Sequence, residues 1–147
     1  MIAEPKAGKR FIQVGNSHDS HQWASVVAHL TEKLYAGARQ ITLVQDNLSA
    51  HRKAALYEVF DACRARAILQ RLVFVYTPKH GSWLNMAEIE LSVLNRVALK
   101  ARIESKAKLQ KQIKAYLKEK NSASKPINWQ FTTKDARTKL KKLYPKL

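Results

Sequence analysis

Apolar positions along the chain follow two periods. Phe11-Ile12-Gln13-Val14, Ile41-Thr42-Leu43-Val44 and Leu72-Val73-Phe74-Val75-Tyr76 are short runs rich in β-branched and aromatic residues, the pattern of buried strands. Lys6-Ala7-Gly8-Lys9 reads as a hairpin turn behind a strand tail at Met1-Ile2-Ala3. Between the strands the spacing turns helical. Trp23, Val26, Val27, Leu30 and Leu34 follow a cap at Asp19, with Gln22 three residues on and Gly37 as the stop. Leu56, Val59, Phe60, Cys63 and Ala67 mark a second face, running from a cap at Ser49 towards Arg71. Met86, Ile89, Val93 and Val97 mark a third, opened by Asn85. Strands that alternate with helices predict an α/β layer with some parallel pairing.

After Val97 the pattern changes. Ser105 caps a helix with Leu109, Ile113, Tyr116 and Leu117 on one side and lysines elsewhere. Asn121 to Pro126 predicts a loop, and Trp129 with Phe131 a short strand or docking segment. Thr132 with Asp135 reads as a capping box. Ala136, Leu140, Leu143 and Tyr144 then give a last helix, stopped at Pro145.

Charge changes the picture. Lys and Arg total 27 against 11 Asp and Glu, a formal net charge of +16 in 147 residues. Such a chain repels itself unless a polyanion is near; nucleic acid is the commonest one, and an anionic membrane surface is the rival. The excess sits at one end: Met1 to Asn95 hold 11 basic and 8 acidic side chains, Arg96 to Leu147 hold 16 and 3. The first part can house a site of mixed charge, and the second is an electrostatic handle. A single cysteine, Cys63, excludes an internal disulfide and fits a reducing compartment. No apolar run is long enough to span a bilayer and no signal-peptide core is present, so the expected location is cytoplasmic.

The candidate chemistry lies where strands end. Asp46 and Asn47 follow the second strand, at the carboxyl edge where open α/β sheets bind ligands, and a carboxylate there suits a hard cation. The plainer alternative is an Asx turn that caps the next helix. Asn85 with Glu88 has the form of a capping box, which by itself accounts for Glu88. Glu90 lies about 200° around the helix from Glu88, too far to share a site with it. His18 and His21 have no nearby cysteine or third histidine to complete a zinc site.

Asp46-Asn47 at a strand end, His51 shortly after, and the string Thr77-Pro78-Lys79-His80-Gly81-Ser82-Trp83-Leu84-Asn85-Met86-Ala87-Glu88 resemble DDE transposases of the mariner-like superfamily, in its bacterial insertion-sequence branch. The segment from Trp129 to Pro145 is similar to that branch too. The resemblance implies an RNase H-like fold in which three acids hold two divalent metals, Mg2+ or Mn2+, for DNA strand cleavage and transfer at element ends. Asp46 matches the second acid and Glu88 the third. Asn47, His51, Lys79, His80, Trp83 and Asn85 are then candidates to contact the DNA backbone or orient the site. The partners implied are double-stranded DNA at element ends and target sites, with a homodimer or an upstream transposase fragment as a protein partner. The location implied is the bacterial nucleoid.

The first acid of that family lies on the first strand of the sheet. The acids ahead of Asp46 are Glu4, Asp19 and Glu32, and none falls in the middle of a predicted strand. The expectation is therefore an incomplete RNase H-like core over residues 1–98 and a basic helical extension of the same domain over 99–147. Such a fragment would be inactive alone, with the edge of the strand ending at Asp46 exposed. The alternative function is a non-catalytic DNA-binding remnant acting through the basic C-terminal region.

Overall fold

The computed structural model describes residues 1–78, 84–123, 125–139 and 141. Its first element is a hairpin. Strand β1 (Ile2–Glu4) pairs antiparallel with β2 (Lys9–Phe11), with Ile2 opposite Phe11, Ala3 opposite Arg10 and Glu4 opposite Lys9. Gly8 makes the turn with φ +63°, and a Cβ there would lie 2.1 Å from the Lys125 carbonyl oxygen. Only glycine meets both demands, the positive φ and the close backbone approach. The strand expected at 11–14 thus sits earlier, and Ile12 and Val14 leave the ladder to pack against Leu94, Ile113 and Tyr116.

Helix α1 (Ser20–His29) starts as expected, with the Asp19 carboxylate accepting from the Gln22 amide at 2.8 Å. It runs on into a π-helical turn, Leu30–Leu34, and ends at Tyr35 rather than at Gly37. The stop is made from a distance. The Arg71 guanidinium donates to the carbonyls of Thr31, Tyr35, Ala36 and Ala38, gathering the acceptors around the helix end.

Strand β3 (Ile41–Gln45) pairs in parallel with β4 (Leu72–Tyr76), from Ile41 opposite Leu72 to Gln45 opposite Tyr76. Two helices, α2 (Ala54–Val59) and α3 (Ala62–Gln70), cross between them where one was expected. Phe60 is extended and the Asp61 carboxylate accepts from the Arg64 amide at 2.9 Å, so the chain stops and restarts at an N-cap. Ser49 does not act as a cap; it lies in a turn ahead of α2. Ile41, Leu43 and Phe74 on one face of the pair pack with Ala24, Val27, Ala55, Leu56 and Ile68 into the main core. On the other face Val44, Val73 and Val75 are 51%, 40% and 44% exposed, so the sheet is apolar on both sides and covered on one.

Helix α4 (Met86–Ala98) and helix α5 (Lys106–Ala123) build a second cluster around Leu94, Ile113 and Tyr116. The Ser105 cap and the apolar face of α5 are where the periodicity puts them. The loop expected from Asn121 begins later, because α5 continues through Ala123. This extra turn brings the Asn121 side-chain amide against β2, where it accepts from the Arg10 amide and donates to the Arg10 carbonyl, both at 2.9 Å. Asn121 thereby imitates a neighbouring strand on the outer edge of the hairpin. Helix α6 (Thr133–Lys139) follows a reciprocal Thr132–Asp135 cap, which holds the Asp135 carboxyl below its ordinary pKa. Trp129 and Phe131 form no strand; their rings meet edge to face at 6.2 Å. Leu140, Leu143, Tyr144 and Pro145, expected on the last helix, lie outside the described residues.

The two clusters share no buried residue, and the two sheets do not join among the described residues. Side chains from the hairpin bind each half. Arg10 forms a two-pronged ion pair with Glu90 of α4, at 2.5 and 3.0 Å, with the side chains 10% and 8% exposed. The Tyr35 hydroxyl donates to Glu4 of β1 at 2.6 Å, and Phe11 stacks on His29 at 4.8 Å.

Breaking a buried pair leaves a charge without a partner, at a cost of about 3–5 kcal/mol, whereas replacing both members by apolar residues is often near neutral. Arg10→Met should therefore destabilise the chain by that amount in urea unfolding, and adding Glu90→Leu should recover most of the loss. Burial, then the hydrogen bond to Glu4, push the Tyr35 hydroxyl up to about 12 from 10.0. The neutral phenol is favoured in the folded chain, so its contribution is complete below pH 10.0 and is lost as pH rises towards about 12. Tyr35→Phe should shrink the fall in unfolding free energy across that interval, compared with the unsubstituted chain.

Candidate functional site

The end of β3 and the start of α4 meet at one cavity of about 340 Å³, lined by Asp46, His51, Asn85 and Glu88 among others. Two positions far apart in the sequence are thereby brought to one place. Asp46 leaves β3 directly, and its carboxylate accepts from the Leu48 amide at 3.3 Å, which is the Asx turn. The same oxygen lies 2.6 Å from His51 Nδ1, an ion-pair distance without hydrogen-bond alignment, since Nδ1 has no hydrogen-bond partner among the described residues. The His51 ring stacks on Trp23 at 6.0 Å, and its carbonyl accepts from the Gln45 side chain at 3.1 Å.

Trp23 and Gln45 are the supporting residues that sequence reasoning missed. Each had a signal. Gln45 continues the inward-facing alternation of Ile41 and Leu43, yet it is polar and 5% exposed. Trp23 opens the apolar face of α1 and touches both Phe74 and His51.

Asn85 is the N-cap of α4, its side chain accepting from the Ala87 amide at 3.1 Å. It is 8% exposed and its role in the described structure is to start the helix. Glu88 does not close the capping box. Its carboxylate has no hydrogen bond or ion pair among the described residues and lines the cavity instead. Glu90, on the opposite side of the same helix, is buried against Arg10 rather than at the surface. Asn47 is exposed, and its amide donates to the Thr77 carbonyl at 2.7 Å, tying the chain after β3 to the chain after β4. Lys79, His80 and Trp83 lie outside the described residues.

The acids ahead of Asp46 are occupied. Glu4 binds Tyr35, and Glu32 takes a two-pronged bond from Arg64 that lowers its pKa. Asp19 also borders the cavity, but it caps α1, and the Gln22 amide holds its carboxyl low. Among the described residues, no three His, Cys, Asp or Glu side chains come close enough to hold a metal ion. Asp46 and Glu88 are hard oxygen donors. Carboxylates of this kind suit a hard divalent cation, and two of them are too few for a two-metal centre.

The basic handle has a definite surface. Ile113 and Tyr116 are buried, and Lys111, Lys114 and Lys118 are exposed on the opposite side of α5, a stripe set by the helical rotation. No helix among the described residues is long and apolar enough to cross a membrane.

No curated protein and no solved structure matches the chain. A family model described as DDE superfamily endonuclease matches residues 1–110, which run from the hairpin through the cavity into α5. The chain belongs to that DDE endonuclease superfamily, whose members act on DNA and generally use divalent metal ions.

Proposed function

We propose that the chain is part of the catalytic domain of a DNA transposase of the mariner-like, bacterial insertion-sequence branch, acting at element ends. The observation that supports it best is the meeting of Asp46 and Glu88 on one cavity, from the end of a parallel strand and the start of a helix. In this reading Asp46 and Glu88 hold a divalent cation, Mg2+ or Mn2+, which when bound activates an attacking hydroxyl and stabilises a leaving oxygen. His51 fixes the Asp46 carboxylate, with Trp23 and Gln45 behind it. Asn85 sets the first turn of α4 and so aims Glu88. Lys111, Lys114 and Lys118 bind the duplex backbone, as do Lys79, His80 and Trp83 ahead of α4.

The same reading makes the chain inactive alone. Two carboxylates do not offset two divalent cations, and Glu4, Asp19 and Glu32 are tied elsewhere. A DNA-binding remnant without chemistry is the second reading, favoured by the exposed lysine stripe of α5.

Incubation with a nicked or blunt duplex and Mg2+ or Mn2+ should give binding without strand cleavage. Mn2+ should bind weakly, as read by paramagnetic relaxation of water, and Asp46→Asn or Glu88→Gln should remove it. Unchanged Mn2+ binding in both variants would leave the remnant reading, and metal-dependent nicking by the purified chain would overturn the claim of inactivity. Replacing Lys111, Lys114 and Lys118 by Gln should weaken duplex binding regardless of sequence and reduce the salt slope by about 0.9 per lost phosphate contact.

A further inference from the structure

Trp129 belongs to neither hydrophobic cluster and is 41% exposed. A lone exposed aromatic is ordinary on a protein surface. What sets this one apart is the chain that carries it. Residues 125–131 form no helix or strand, yet the stretch is tied down at both ends. At its start the Lys125 carbonyl passes so close to Gly8 that a Cβ there would have no room. The Ile127 amide then donates to the Pro5 carbonyl at 2.9 Å. At its end the Thr132 hydroxyl and amide donate to the Asp135 carboxylate at 2.7 and 2.8 Å, which fixes the entry to α6.

Between these ties the half-buried Phe131 meets the indole edge to face, with ring centroids 6.2 Å apart and planes at 78°. A perpendicular contact occupies at most one face of the indole. At least one face is left uncovered by Phe131, on a backbone that needs little further ordering. A ring held in this way loses little freedom when another ring stacks on it.

Charge names the occupant. From Asn121 to Leu147 there are seven basic side chains and one acid. That acid, Asp135, is drawn into the cap. Lys125, Lys134 and Arg137 are exposed along the same stretch. A nucleic-acid strand supplies phosphates for the cations and flat rings for the indole together. Bases inside a duplex offer a surface ring no face, because each is already stacked between its neighbours. An unpaired base does.

We propose that Trp129, backed by Phe131, is a stacking platform for an unpaired DNA base, so that the C-terminal region grips single-stranded DNA by a base as well as by its phosphates. The platform goes beyond the duplex-backbone role given to the lysines of α5, and it rests on the reading of the basic region as a DNA-binding surface. It makes no use of Asp46 or Glu88. Binding of this kind tolerates any sequence, since every base has a π-face, and weakens with salt through the cations.

The probes are a fluorescently labelled oligothymidylate of about twelve nucleotides, the same strand with every base removed, and a blunt duplex of equal length, read by anisotropy at fixed salt. The unsubstituted chain should bind the oligothymidylate about tenfold more tightly than the abasic strand. Tryptophan emission should fall with the oligothymidylate and hold steady with the abasic strand. Trp129→Ala should remove the tenfold preference and leave duplex affinity and the salt slope unchanged. Trp129→Phe, which keeps a ring, should restore part of it.

Equal affinity of the unsubstituted chain for the two single strands would overturn the platform, and this comparison stands even where Trp129→Ala does not fold. Salt-dependent binding of both would then leave the DNA-binding reading intact, whereas no binding of any probe would overturn the two together. A base preference that survives in Trp129→Ala would overturn the assignment to this ring. Self-association that Trp129→Ala abolishes, with the base preference unchanged, would overturn it in favour of a protein contact.

Discussion

The placement of Glu88 depends on the ion pair between Arg10 and Glu90. Both partners are nearly excluded from solvent, and the guanidinium is further held by the Gly8 carbonyl at 2.7 Å. A desolvated arginine and carboxylate are tolerable only together and only in good geometry. The pair therefore fixes how α4 is rotated about its own axis. With Glu90 locked inward against the hairpin, the 100° step of the helix leaves Glu88 on the side that faces the cavity. One acid of the Glu-x-Glu sequence is structural so that the other can face the cavity.

The same division runs through the whole chain. One hydrophobic cluster is built by α1, α2, α3 and the parallel strands, the other by α4, α5 and the tail of the hairpin. The first half brings Asp46 and the capping Asp19 to the cavity, and the second brings Glu88. Contacts across the gap are polar or aromatic: Tyr35 to Glu4, and Phe11 on His29.

Much of this was legible in the sequence, and for physical reasons. The parallel strands announced themselves by β-branched density, α5 by a four-residue apolar stripe, and α1 and α6 by caps whose side chains do what Asx and Thr do at helix starts. Asp46 and Glu88 were singled out by the motif around them rather than by periodicity, which explains each as a turn or a cap. Two of the misses share a cause: the deciding partner is remote. The end of α1 is set by Arg71, forty residues on, so Gly37 was a false stop. The split between α2 and α3 was local and readable, since Asp61 interrupts an otherwise continuous face, but propensity alone does not tell a mid-helix Asp from a cap. The extra turn of α5 is held by Asn121 on the hairpin, a contact over a hundred residues away.

That Asn121 contact limits how the hairpin can grow. A two-stranded ribbon with both sides open could stack copies in either direction, as fibres do. Here one side is occupied by an amide that belongs to the chain's own helix. Open-ended stacking through the hairpin would first require α5 to unwind its last turn.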